Sequence, residues 1–304
     1  MHTYSIDIKP TSNPAIVKFE TDRFLTQHEN FEFSNIDEAQ NSPLAQQLFH
    51  LPFVKTVYIA QNFVAIEKYN IVGWNDVQTE TAAQIAEYLN NGGTVVKESD
   101  QDAQKKIAVT VYAESTPNPS VMKFVCNKKL VLQTAEFKNI DEAKNSPLAQ
   151  QLFHFPFVKA VFFDENYISI NKFDIAEWNE ITLELREFIR TYLEEGKTVF
   201  DEGAVASVSE KEVEKTAAKE ITNLDTVSQE IVSILDEYIK PAVASDGGNI
   251  VFDSYNSEDK KVKVILQGAC SGCPSSTLTL KNGIETMLKE MLHGKVETVE
   301  AVNG

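Results

Sequence analysis

A block of 21 residues occurs twice in this chain, and any fold must accommodate both copies. NIDEAQNSPLAQQLFHLPFVK at 35–55 returns as NIDEAKNSPLAQQLFHFPFVK at 139–159, identical at 19 of 21 positions. The likeness extends more loosely on either side. Asn13-Pro14 with Lys18-Phe19 matches Asn118-Pro119 with Lys123-Phe124, Trp74 matches Trp178, and Gly92 matches Gly196. The unit is therefore about 100 residues long, whereas solenoid repeats run roughly 20–50. Two tandem globular domains are expected, in residues 1–100 and 105–200.

Within each copy the pattern mixes helix and strand. Ser42-Pro43 and Ser146-Pro147 are helix starts, the serine capping free N–H groups and the proline fitting the first turn. The short helix LAQQLF follows. In copy two FVKAVFF and YISINKF then read as strands joined by a turn at Asp164-Glu165-Asn166. A longer helix runs from Trp178 to about Glu194, with Leu185, Ile189 and Leu193 on one face, and Gly196 suits its end. Residues 201–225, rich in Ala, Ser, Glu and Lys, read as a linker.

From 226 to 304 the pattern changes. A helix carrying Val227, Ile231, Ile234, Leu235, Tyr238 and Ile239 is expected to stop at Lys240-Pro241. Asp246-Gly247-Gly248 reads as a structural turn; without a lysine it falls short of a phosphate loop. Ile250–Tyr255 and Lys261–Leu266 read as a β-hairpin, followed by a helix from about Ser276 to Leu292 and a last strand near Val296–Val302. The fold class is α+β in three small domains.

Charge narrows the partners. Lys and Arg total 28 against 45 Asp and Glu, a formal charge of -17, which argues against a nucleic-acid backbone. No stretch approaches the roughly 18 apolar residues of a membrane span, so no membrane partner is expected. The start, MHTYSIDIKP, has neither the basic region nor the apolar run of a secretory signal. Three cysteines make a poor disulfide framework, and a reduced, cytoplasmic setting is the default reading.

In that setting Cys270 and Cys273, in Gly268-Ala269-Cys270-Ser271-Gly272-Cys273-Pro274, suggest a metal or redox site. They stand where a strand hands the chain to a helix, and a helix start favours thiolate, so their pKa is expected to fall. A spacing of two residues lets both sulfurs face one metal centre. Iron–sulfur clusters usually take four thiolates, and one protomer offers two, which points to a cluster shared by two chains. Three rivals stay open on spacing alone: a buried structural pair, a thioredoxin-like dithiol, and a zinc ion bridging two chains. The dithiol motif normally sits among parallel strands, whereas an apparent hairpin precedes this one.

The segments EIVSILDEYIKPAVASDGGNIVF and QGACSGCPSSTLTLKNGIETML resemble the C-terminal domain of NifU-like (Nfu) proteins, a family of iron–sulfur scaffolds and carriers. STPNPSVMKF at 115–124, SPLAQQLFHFPFVKAVFF at 146–163 and Trp178 are similar to the family's N-terminal domain, so the likeness covers nearly the whole chain outside the linker. It implies two Nfu N-terminal-type domains and one NifU-type cluster-binding domain at 226–304. It also implies a [4Fe-4S] cluster held between two protomers, with Cys270 and Cys273 as the ligands and no catalytic residue. Implied partners are apo iron–sulfur client proteins, upstream cluster-assembly proteins, and a second copy of the chain when loaded. Ligand exchange with clients calls for a shallow site near the surface. Duplication of the N-terminal domain departs from the usual single copy; both copies are read as serving client or partner recognition.

Other tempting residues have plainer readings. Cys126 ends an apparent strand without a nearby partner and reads as structural. His50 and His154 are copied along with their neighbours and read as packing or capping residues, as does His293 at a helix end. Trp74 and Trp178 read as packing residues that anchor the second helix of each copy.

Overall fold

Ser42 and Ser146 begin the same helix twice, by the same hydrogen bonds. Ser42 Oγ accepts from the Ala45 N–H at 3.2 Å and donates to the Val95 carbonyl at 2.7 Å. Ser146 repeats this with Ala149 at 3.3 Å and Val199 at 2.8 Å. Each serine therefore caps a helix and ties it to a segment over fifty positions later in the chain.

The computed structural model describes residues 3–26, 29–97, 108–201, 225–271 and 274–304. The expected linker at 201–225 lies almost wholly outside them. The chain divides into two compact units, one ending at Ala108 and one beginning at Val109.

In the first unit β1 (Ile6–Pro10), β2 (Ile16–Thr21), β3 (Asn30–Phe33), β4 (Val54–Ala60) and β5 (Phe63–Lys68) form an antiparallel sheet ordered β1-β2-β5-β4-β3. Helices α1 (Pro43–Phe49) and α2 (Trp74–Asn90) give Leu44, Leu48, Ile85 and Leu89 to the core that Val17, Phe19 and Ile66 fill from the sheet. Along β2 Val17, Phe19 and Thr21 are buried while Ile16, Lys18 and Glu20 are half-buried, the alternation of a sheet with one covered face.

The second unit opens with the same architecture. Strands β6 (Val111–Ser115), β7 (Val121–Cys126), β8 (Ala135–Phe137), β9 (Val158–Asp164) and β10 (Tyr167–Lys172) take the order β6-β7-β10-β9-β8. Helices α3 (Pro147–Leu152) and α4 (Trp178–Glu194) complete its core. Asp164 pairs with Tyr167 in the ladder, so the expected three-residue turn shortens to Glu165-Asn166, with Glu165 at φ 36°. Both tryptophans anchor their helices as expected. Trp74 Nε1 donates to the Ala15 carbonyl at 3.2 Å and Trp178 Nε1 to that of Pro119 at 2.9 Å.

The last domain is α5 (Thr226–Ile234), a π-helical turn over Leu235–Ile239, α6 (Lys240–Ser245), β11 (Gly248–Asn256), β12 (Lys261–Gly268), α7 (Pro274–Met291) and β13 (Thr298–Asn303). The helix expected to stop at Lys240-Pro241 continues to Ser245. Proline lacks an N–H and crowds the carbonyl four residues back; the wider π turn just upstream makes room for it. The hairpin β11–β12 is antiparallel as expected, and β13 then pairs with β12 in parallel, with α7 as the crossover.

Candidate functional site

Cys270 sits in the loop between β12 and α7, and glycine makes its place. Gly268 ends β12 with φ +63°, and Gly247, just before its ladder partner Gly248, has φ +82°. Both conformations are ones that L side chains rarely adopt. A Cβ on Gly248 would stand 2.6 Å from Cys270 Sγ and 2.7 Å from the Gln267 carbonyl. The Ala269 N–H donates to the Gly247 carbonyl at 3.1 Å, and the Ser271 N–H donates to that of Gly268 at 3.1 Å. Thr277 Oγ1, in the first turn of α7, donates to the Cys270 carbonyl at 3.3 Å.

This loop is not open to solvent. Cys270 is 8% exposed and packs with the apolar core of its own domain. From outside, the second duplicated domain covers the same backbone. Asn118 Nδ2 donates to the carbonyls of Ala269 and Ser271, at 3.1 and 3.3 Å, so one side chain grips the loop on both sides of Cys270. Ser169 Oγ donates to the Gly247 carbonyl at 2.6 Å. The Tyr167 hydroxyl has one proton facing two acceptors, Gly248 O at 3.1 Å and Asp164 Oδ2 at 3.0 Å. The Gly268 N–H donates to Glu136 Oε1 at 3.0 Å, and Lys123 Nζ donates to the Ser245 carbonyl at 3.1 Å. Phe162, Val125 and Tyr167 form a small buried apolar cluster on this outer sheet face.

Burial sets the electrostatics. It pushes the Cys270 thiol up to about 12, and the carboxylate of Asp246 pushes the same way. Burial likewise lifts Glu136 to about 7 against the pull of the Gly268 N–H and Lys138. Among the described residues no group of three or more His, Cys, Asp or Glu side chains stands close enough to hold a metal ion. Cys273 lies outside the described residues.

Two family models match this chain. One, for the scaffold protein Nfu/NifU N terminal, matches twice, at 6–92 and 111–196; the other, for the NifU-like domain, matches 231–300. The chain belongs to the Nfu/NifU family. It is 35% identical over 179 residues to NifU-like protein 4, mitochondrial, of Arabidopsis thaliana, covering 59% of this chain and 61% of that protein. It is 36% identical over 199 residues to the NFU1 iron-sulfur cluster scaffold homolog, mitochondrial, of Drosophila persimilis, covering 65% and 66%. The Drosophila yakuba protein of that name is 33% identical over 226 residues, covering 74% and 76%. The chain thus spans just under two thirds of the first two of these relatives.

Set against the Nfu/NifU sequence pattern, the structure corrects two expectations about Cys270. The thiol's pKa rises instead of falling. Helix α7 begins only at Pro274, the favourable field of a helix start fades within a turn, and desolvation outweighs it. Nor is Cys270 shallow, because its own core and the neighbouring domain both cover it. Cys126 is buried at 1% exposure inside the second domain, its thiol pushed up to about 12 by burial, in keeping with a structural role. His50 and His154 are exposed, His50 closing α1 through its backbone N–H rather than by side-chain packing. Asp246-Gly247-Gly248, read as a structural turn, forms the floor beneath the cysteine loop.

No motif marks Asn118, Glu136, Phe162, Tyr167, Ser169 or Gly248 as a site residue. A signal was present in the differences between the copies, where Ala65, Phe63 and Glu20 become Ser169, Tyr167 and Val125. The fit at Gly248 gives a direct test. Gly248→Ala should lower the stability of the second unit by about 1–3 kcal/mol, as overpacking does, read as a fall in the denaturation midpoint. A wild-type midpoint would mean that Cys270 does not fill this space.

Proposed function

We propose that this chain is an iron–sulfur cluster scaffold and carrier. Cys270 and Cys273 of two protomers supply four thiolates to one [4Fe-4S] cluster, accepted from upstream assembly proteins and passed to apo client proteins. The observation that carries the reading is the CxxC of a NifU-like domain at a strand-to-helix junction. The fly relatives, named iron-sulfur cluster scaffold homologs, support it. The step is ligand exchange: client thiolates replace those of the carrier pair by pair, and no bond of the client is made or broken by a catalytic group. A cytoplasmic, reduced setting suits the free thiols.

The dithiol reading gains one point from the fold, since β12–α7–β13 is a parallel crossover with the CxxC ahead of its helix. The match to the NifU-like domain outweighs it; the sulfur itself does not separate the readings, because Cys270, buried with its pKa raised, must be uncovered to serve either as nucleophile or as cluster ligand.

Anaerobic loading with iron and sulfide separates the readings. The carrier should turn brown, bind iron and sulfide in equal amounts, become dimeric on loading, and hand the cluster to an apo client. Cys270→Ser and Cys273→Ser should each abolish stable loading. Colourless, monomeric protein after loading would remove the carrier reading. Stoichiometric zinc in the dimer, or insulin reduction by the monomer, would move the assignment to one of the rivals.

A further inference from the structure

The two duplicated domains share a fold but differ on one face. In β2 the outward residues Ile16, Lys18 and Glu20 are all half-buried. In β7 the matching Val121, Lys123 and Val125 are all buried, although a sheet with one covered face should alternate. The last domain lies on this face at Lys123, Tyr167, Ser169 and Glu136, through Ser245–Gly248 and Gly268. The register shows that this face is continuous. Ser169 stands beside Lys123 and Phe162, Tyr167 beside Val125 and Asp164, and Glu136 beside Phe162.

The residue types fit the contact. Where Glu20 in the first domain pairs with Lys18, Val125 stands in the second, and Lys123 reaches the Ser245 carbonyl and Glu114 instead. Phe63 and Ala65 have no hydroxyl to offer, whereas Tyr167 and Ser169 each bind a backbone carbonyl of the last domain. The fit is close on the other side too. A Cβ on Gly247 would meet Ser169 Oγ at 2.9 Å, and one on Gly268 would meet Phe162 Cδ1 at 2.8 Å.

We propose that the outer sheet face of the second N-terminal domain is a dock for the cysteine loop of the same chain, and that this dock latches Cys270 out of reach until the two domains part. The first domain, lacking the Ser169 and Tyr167 hydroxyls and carrying Glu20, is not built for that role. For the carrier reading on which its purpose rests, the latch means that cluster uptake and release require the domains to separate.

Thiol trapping in the full chain, without iron, tests the latch. The reagent is N-ethylmaleimide, with each cysteine followed by tandem mass spectrometry. Modification through an opened form scales with the open population. The variant is Tyr167→Phe with Ser169→Ala, the residue types the first domain carries in the same fold at Phe63 and Ala65. Cys270 should react about 10-fold faster or more, the weight of two buried hydrogen bonds. Cys126, inside the second domain's core, should stay protected and so show that the domain remains folded. If Cys126 reacts as well, Ser169→Ala alone is read by the same criterion. Unchanged Cys270 reactivity with Cys126 protected overturns the latch, since Cys270 is then held only by its own domain. The two readings fail separately. Refutation of the latch leaves the outcome of the loading experiment open, and a protein that never loads a cluster can still show dock-dependent protection of Cys270.

Discussion

Phe124→Ala should cost the second unit about 3–5 kcal/mol, the usual range for removing a buried phenylalanine. Phe124 is fully buried at the centre of β7, opposite Ile168 of β10 and Ala113 of β6. Its neighbours Lys123 and Val125 point the other way, onto the face that holds the last domain. One substitution therefore strikes the domain core and loosens the strand that carries the dock. The chain has two tryptophans, one in each unit, so Trp178 fluorescence in a Trp74→Phe background reports the second unit by denaturant titration. A loss below about 1 kcal/mol would mean that the core can collapse around the gap, against the dense packing that β7, β10 and α4 imply.

How much of this was legible in the sequence depends on the length scale. The repeat gave two like domains, and capping chemistry placed the short helices, because Ser42-Pro43 and Ser146-Pro147 act over a few bonds. The continuation past Pro241 was not legible. A proline normally ends a helix, and only the tertiary setting that favours a π turn over Leu235–Ile239 decides otherwise. The motif marks Cys270 as a candidate but does not carry its environment. Helix-start electrostatics can be read from neighbouring residues, whereas burial by Asn118, more than 150 positions earlier in the chain, cannot. The copies themselves held the missing information. Glu20 against Val125 and Ala65 against Ser169 are changes at outward positions, and an outward charge replaced by an apolar residue marks a face that has acquired a neighbour.

That neighbour should make the second unit respond to pH, with the sign set by Glu136. In the docked arrangement burial lifts this carboxyl from 4.5 to about 7, with Glu142 adding to the rise while the Gly268 N–H and Lys138 oppose it. Once the domains part, the carboxyl returns toward its ordinary value. Between those two values the docked form binds the extra proton, so docking is strongest at acid pH and weakens as pH rises through 7. The full span is at most about 3.5 kcal/mol, taking about 1.4 kcal/mol for each pKa unit, and water at the edge strand β8 will reduce it. Glu136→Gln keeps the shape and removes the titration. Asp164, raised by its own burial on the same face, acts in the same direction and is present in both proteins, so the difference between them isolates Glu136. The variant's advantage over the wild type should open from about pH 5, be nearly complete by pH 7 and level off above it. Parallel stability curves for the two proteins from pH 5 to 8 would show that Glu136 is ionised and solvated in the docked state. The edge strand β8 would then not be covered by the last domain in solution.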